Sequence, residues 1–155
     1  LSYAMEDISR NLKTGTSYHC LVSPLGTIPI PPAPPAKSCA AGYGIAFEHE
    51  LGDPNTNNDQ WVYAVSSTLN PDGTTTAKLF KSTSGILAGA NWVQLTPNEV
   101  VLNPLSSFVT VVGAEPPPDA REPFVTIRLT GTISYKGVAT PFSLQTSVSQ
   151  RAIDI

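Results

Sequence analysis

The sequence predicts an α+β fold in which one N-terminal helix packs on an antiparallel β-sheet of about six strands. Apolar residues recur at helical spacing at the start of the chain, whereas later segments alternate apolar and polar residues with the period of strands. The helix precedes all the strands instead of alternating with them, which is typical of α+β domains. A length of 155 residues fits a single domain spanning residues 1–155.

Four apolar residues share one face of the helix predicted over residues 1–14: Leu1, Met5, Ile8 and Leu12. This face should lie on the sheet, while Glu6 and Arg10 face outward. Gly15 is expected to end the helix in the left-handed conformation. No capping residue precedes Leu1, so the pattern predicts that the natural helix continues upstream.

The remaining elements are predicted strands, separated by turns rich in Pro, Gly and Asn. Their predicted ranges are Ile45–Leu51, Trp61–Thr68, Ala77–Ser82, Phe108–Val112, Phe124–Tyr135 and Pro141–Val148. In the first of them, Glu48 and Glu50 share the polar face, which is expected to be solvated. The sheet as a whole should occupy residues 45–155.

Charge and proline content limit the functional classes. Charged residues make up 14% of the chain, against roughly 25% in typical domains. The net charge of −3 comes without any basic run, so nucleic acid is not an expected partner. Eight of the 15 prolines fall within residues 29–35 and 116–118. These clusters are interpreted as stiff connections in two loops, 20–39 and 114–123.

Cys20 and Cys39 bracket the first proline cluster. Neither cysteine has the spacing of a zinc ligand, so a disulfide that closes a Pro-rich loop is expected. Such a bridge contributes about 3 kcal/mol in the chain-entropy model and indicates an oxidising compartment. Two buried free thiols are the alternative.

The sequence contains no nucleophile motif, phosphate-binding loop or zinc-protease motif. His19 and Cys20 are adjacent, and neighbours on an extended segment point to opposite sides. They are therefore poorly placed as a base and a nucleophile. His49 is expected in the core or at its rim. We accordingly predict a protein that is not an enzyme.

One loop spaces oxygen-bearing side chains at every second position, as calcium-binding loops do. The residues are Asp53, Asn55, Asn57 and Asp59. Asn58 and Ala64 stand where an EF-hand would have Gly and Glu. Calcium is thus the one cofactor that the sequence leaves open, and an Asx-rich turn is the alternative.

Three segments resemble type IV pilin-like proteins. Within that superfamily, they are most similar to the minor pseudopilins of type II secretion and related minor pilins. The segments are Ala4–Lys13, Trp92–Val100 and Gln145–Arg151. The resemblance implies a filament subunit that assembles through its N-terminal helix and has other pilin or pseudopilin subunits as partners. It also implies an extracytoplasmic domain whose precursor is anchored in the inner membrane by an upstream hydrophobic helix.

The sequence departs from this family in two respects. The leader junction and the apolar half of the helix are not in these 155 residues, and the cysteines follow the helix instead of lying near the C-terminus. The competing interpretation is a secreted, non-catalytic binding or adhesion module, in which proline clusters or exposed aromatic residues contact a surface.

Overall fold

The computed structural model describes residues 1–21, 36–85, 90–115 and 121–150. The described residues form one helix, α1 (Ser2–Thr14), and ten strands. The strands are β1 (Thr16–Leu21), β2 (Cys39–Gly42), β3 (Gly44–Glu48), β4 (Trp61–Leu69), β5 (Thr75–Ser82), β6 (Val93–Gln94), β7 (Val100–Leu102), β8 (Phe108–Val112), β9 (Phe124–Tyr135) and β10 (Val138–Ser149).

The predicted α+β class with six strands is wrong, because the fold is mostly β. All ten strands belong to one antiparallel sheet, and the helix is a single short element. The sequence pattern does not predict the strands Thr16–Leu21 and Cys39–Gly42. Both strands pair through irregular registers, which breaks the simple alternation that identifies a strand.

The sheet is organised around the long strand β9. One edge of β9 pairs with β10 over its full length, so β7 and β8 share the other edge. From β7 the sheet continues through β5, β4 and β3 to β1, and from β8 it continues to β2. His19 of β1 forms a parallel bridge with Lys37, just before β2. The strand order therefore nearly closes on itself, and β10 lies outside this ring.

The apolar face of α1 lies in the main core. Met5, Ile8 and Leu12 are buried there, and Leu1 packs against the same cluster from a partly exposed position. The sheet side of this core includes Tyr18, Ile45, Phe47, Leu79, Val111, Ile127, Leu129 and Val148. The helix thus covers the interior of the curved sheet, and its burial stabilises both.

Gly15 ends the helix for a reason other than the one expected. Its backbone is extended, with φ at −75°, so the predicted left-handed conformation is wrong. A Cβ built at this position would lie 2.3 Å from the Phe47 ring. Glycine is needed because the chain passes directly over a buried aromatic side chain.

Strand β3 is shorter than predicted and is buried on both faces. It ends at Glu48, and Leu51 is 87% exposed in the following loop. Ile45 and Phe47 face the main core, whereas Ala46 contributes to a second apolar cluster with Leu21, Val62 and Ala64. The face predicted to be solvated is therefore interior at Glu48.

Two features of the predicted domain organisation lie largely outside the described residues. Both proline clusters, residues 29–35 and 116–118, belong to the segments that are not described. Across the described ranges, no helix has the length and apolar character required to cross a bilayer.

Candidate functional site

The predicted calcium loop connects β3 to β4, and its polar groups bond to one another. Asp53 Oδ1 accepts hydrogen bonds from the backbone N–H and the side-chain amide of Asn55, both at 2.9 Å. Asp59 Oδ2 accepts the backbone N–H of Asp53 at 2.8 Å. These bonds are those of an Asx turn. The hydrogen bonds from Asn55 lower the pKa of the Asp53 carboxyl.

The carboxylates of this loop serve mainly to close its turn. Among the residues that the structure describes, no three His, Cys, Asp or Glu side chains converge as metal ligands. The carboxylates of Asp53 and Asp59 instead hold the turn closed. Calcium binding by the four predicted ligands, Asp53, Asn55, Asn57 and Asp59, therefore stays a prediction.

A buried Glu48–Gln60 pair lies at the base of the same loop. Glu48 is 2% exposed, and its Oε1 accepts a hydrogen bond from Gln60 Nε2 at 2.7 Å. Its Oε2 has no hydrogen-bond partner within the described residues. Burial raises the pKa of Glu48; the Gln60 bond opposes this, and the negative charges of Asp59 and Asp53 reinforce it. Glu48 therefore holds its proton more tightly than an ordinary glutamic acid.

A second buried carboxylate ties α1 to the sheet. Asp7 Oδ2 accepts hydrogen bonds from Tyr63 Oη at 2.8 Å and from Lys81 Nζ at 3.0 Å. Burial acts to raise the Asp7 pKa, but the bonds from Tyr63, Lys81 and Asn11, with the charge of Lys81, lower it overall. Asp7 is thus an ionised carboxylate that is fully engaged in holding the helix against β4 and β5.

Lys81 also contacts the two aromatic residues of β4. Its Nζ lies 4.2 Å from the centroid of the Trp61 ring, on which His49 stacks at a ring distance of 4.2 Å. His49 is half-buried in the loop that follows β3. Its ring therefore lies at the rim of the core, and Trp61 is contacted by both His49 and Lys81.

The adjacent His19 and Cys20 do not form a catalytic pair. Cys20 is joined to Cys39 by a disulfide, so it has no thiol to activate. His19 is buried, and neither of its ring nitrogens has a hydrogen-bond partner among the described residues. Burial lowers the pKa of His19. The disulfide instead joins the two ends of the strand order, β1 and β2.

Two of the three segments that carry the pilin-like resemblance meet at α1. Ser9 Oγ lies 3.3 Å from Thr146 Oγ1 on β10. At its N-terminal end, α1 borders a groove that is lined by Leu1, Pro97, Val100 and Tyr135. The outward side of the helix remains exposed, with Tyr3, Glu6, Arg10 and Lys13 at the surface. This surface is the strongest candidate for a functional site.

No protein-family model, curated protein or solved structure matches this chain. Its function must therefore be argued from its own residues.

The sequence predicts the apolar helix face and the pairing of the cysteines, but it indicates neither the role of Asp7 nor the burial of Glu48. Asp7 adjoins Ile8 on the buried side of α1, and this position is the one signal that could have drawn attention to it. Glu48 lies on β3, which is buried at all five of its residues and is flanked by β1 and β4. Local alternation carries no information about burial on both faces of a strand.

Proposed function

We propose that this chain is a structural, non-catalytic subunit of a type IV pilus-like or type II secretion pseudopilus filament, and that it assembles through its N-terminal helix. The observation that carries the proposal is that α1 buries one face in the core and leaves its other face exposed. The resembling segments that contain Ser9 and Thr146 lie far apart in sequence, and they meet at the contact between these two side chains.

The anchoring of α1 supports this role. A filament subunit that assembles through a helix needs that helix fixed relative to its globular domain. Asp7 provides such a fixed point, because it receives hydrogen bonds from Tyr63 on β4 and Lys81 on β5. A neighbouring subunit that binds the helix would then also fix the position of the sheet, because the two elements are bonded to each other.

The exposed side of α1 offers a surface for neighbouring subunits. Tyr3 is 76% exposed and lies one turn from Glu6, which is also exposed. Tyrosine is enriched among the residues that anchor protein interfaces. We infer that neighbouring copies pack on this side of the helix.

The disulfide supports an extracytoplasmic location. Disulfides persist in oxidising compartments and are rare in the cytosol, and Cys20 is bonded to Cys39 in this fold. The proposed location is a periplasmic or cell-surface filament, whose precursor is anchored in the inner membrane by a hydrophobic helix upstream of Leu1. Partners are other pilin or pseudopilin subunits.

Fractionation of the complete product of the natural gene tests this proposal. We expect the precursor to sediment with membranes and to require detergent for release, whereas residues 1–155 alone remain in the soluble fraction. A complete gene product that stays soluble without detergent would contradict the proposal. Expression of the 155-residue fragment in the same strain is the matched control.

A further inference from the structure

Among the residues that the structure describes, one edge of strand β10 pairs with no other strand. Its other edge pairs with β9 from Val138 to Ser149, and no second strand pairs with it anywhere in residues 1–21, 36–85, 90–115 or 121–150. Gln150 N donates to Pro123 O in the same register. Since antiparallel residues alternate in their bonding direction, the even-numbered residues of β10 bond to β9 and the odd-numbered residues direct their N–H and C=O groups outward.

This edge has little protection against pairing with another strand. Exposed edges are usually guarded by charged residues, proline or bulges, and no Asp, Glu, Lys or Arg occurs between Val138 and Gln150. Pro141 occupies an outward position, where its missing N–H does not weaken the β9 ladder. The segment from Ser143 to Ser149 has neither proline nor charge, and its outward-facing residues are exposed.

We propose that this edge pairs with the same edge of a second copy of the chain, through residues 143–149 in antiparallel orientation. A two-fold axis at Thr146 places Ser143 opposite Ser149 and Gln145 opposite Ser147 of the second copy. Each of these outward N–H and C=O groups then gains a partner. The contact uses the same surface on both copies, as two-fold dimers do.

Charges on α1 are complementary under this symmetry. Ser9 contacts Thr146, so the axis passes close to the middle of the helix. Glu6 and Lys13 lie three residues before and four residues after Ser9, on the same flank of the helix, and both are exposed. In a two-fold pair the helices run antiparallel, so Glu6 of each copy faces Lys13 of the other. A second copy therefore fits this edge better than an unrelated strand.

This inference does not depend on the proposed function. A two-fold contact closes after two copies and cannot extend a filament. A failure of edge pairing therefore leaves the filament proposal standing, and the reverse also holds.

Sedimentation equilibrium of the 155-residue chain over a range of concentrations tests the pairing. We expect a monomer–dimer equilibrium whose Kd rises at least tenfold in Ser147→Pro, which removes one outward N–H. Ala139→Pro removes an outward N–H outside residues 143–149 and should leave the Kd unchanged. Ser147→Lys gives a second test, because it places like charges beside the axis without altering the β9 ladder.

Charge reversal tests the register. Glu6→Lys and Lys13→Glu should each raise the Kd, and the double variant should restore it. A chain that stays monomeric at about 0.5 mM would overturn the proposal. A dimer whose Kd is unchanged in Ser147→Lys would also overturn it. So would a double variant whose Kd does not return to the wild-type value.

Discussion

The hydroxyl of Tyr63 on β4 donates a 2.8 Å hydrogen bond to the Asp7 carboxylate on α1. This bond joins the helix to the centre of the sheet across 56 residues of sequence. Asp7 is also bonded to Lys81, so a single buried carboxylate is held by two neighbouring strands. The position of the helix thus depends on one polar network as well as on apolar packing.

Loss of the Tyr63 hydroxyl should destabilise the fold. Tyr63→Phe leaves one acceptor site of Asp7 without its donor, and we expect a loss of about 1–2 kcal/mol in the free energy of unfolding. Tyr135→Phe, at an exposed position, should change the free energy by less than about 0.5 kcal/mol. Urea denaturation of both variants measures the difference. Equal losses in the two variants would contradict the role assigned to Asp7.

Neutralisation of Glu48 should stabilise the protein near neutral pH. The pKa of the folded Glu48 carboxyl is raised above its ordinary value of 4.5, so folding takes up a proton and stability falls as the pH rises above 4.5. Glu48→Gln removes this cost and should gain on the order of 1 kcal/mol at pH 7. The gain should vanish below about pH 4.5, where the Glu48 carboxyl is protonated in both the folded and the unfolded chain.

Glu50→Gln is the matched control for this prediction, because Glu50 is exposed in the loop that follows β3. It should leave the free energy of unfolding unchanged at both pH values. A loss of stability in Glu48→Gln at pH 7 would show that the Glu48 charge is favourable in the fold, which is the opposite of what its burial predicts.

Mild acid should weaken the fold through His19. Its pKa in the fold lies below the ordinary value of 6.5, so the unfolded chain binds the proton first and stability is lost as the pH falls through 6.5. His19→Leu should flatten this part of the stability profile, whereas His49→Leu should retain it. Urea unfolding at about pH 5.5 and about pH 7.5 distinguishes the two variants. A profile that keeps its slope in His19→Leu would refute the assignment.

Reduction of the disulfide should open the ring of strands at its closure. Replacement of Cys20 and Cys39 by alanine should lower the free energy of unfolding by about 3 kcal/mol. Hydrogen exchange should then quicken first in β1 and β2, the two strands that the bridge joins. Uniform acceleration over all ten strands would indicate that the bridge contributes only to global stability. The reduced wild-type protein serves as the control for packing changes caused by the substitutions.

The sequence is most informative where an element is long and regular. The observed bounds of β9, Phe124–Tyr135, are those that its alternation predicts, and α1 covers nearly all of the predicted helix. Strand β1 is not recognisable because Ser17 has a positive φ of 54° and the register shifts before His19. Such an irregularity reverses which side chains face inward and removes the pattern.

The exposed side of α1 follows from helical periodicity, whereas the two buried carboxylates, Asp7 and Glu48, depend on contacts that sequence alone cannot supply. Glu48 lies on β3, which is buried at all five of its residues and is flanked by β1 and β4. The role of Asp7 depends on the approach of Tyr63, which is 56 residues away in sequence. The unpaired edge of β10 is likewise a property of strand order. Local sequence predicts the strand, and the topology decides whether it has a second neighbour.

The most direct test of the central claim is the recovery of the subunit in sheared surface or periplasmic filaments from cells that express the complete gene. Immunoblots should detect it there for the wild type and for Leu69→Asp, which changes an exposed residue at the end of β4. Tyr3→Asp on the exposed side of α1 should remove the subunit from filaments while the domain stays folded. Equal incorporation of Tyr3→Asp and the wild type, or absence of the wild-type subunit from filaments, would contradict assembly through this helix.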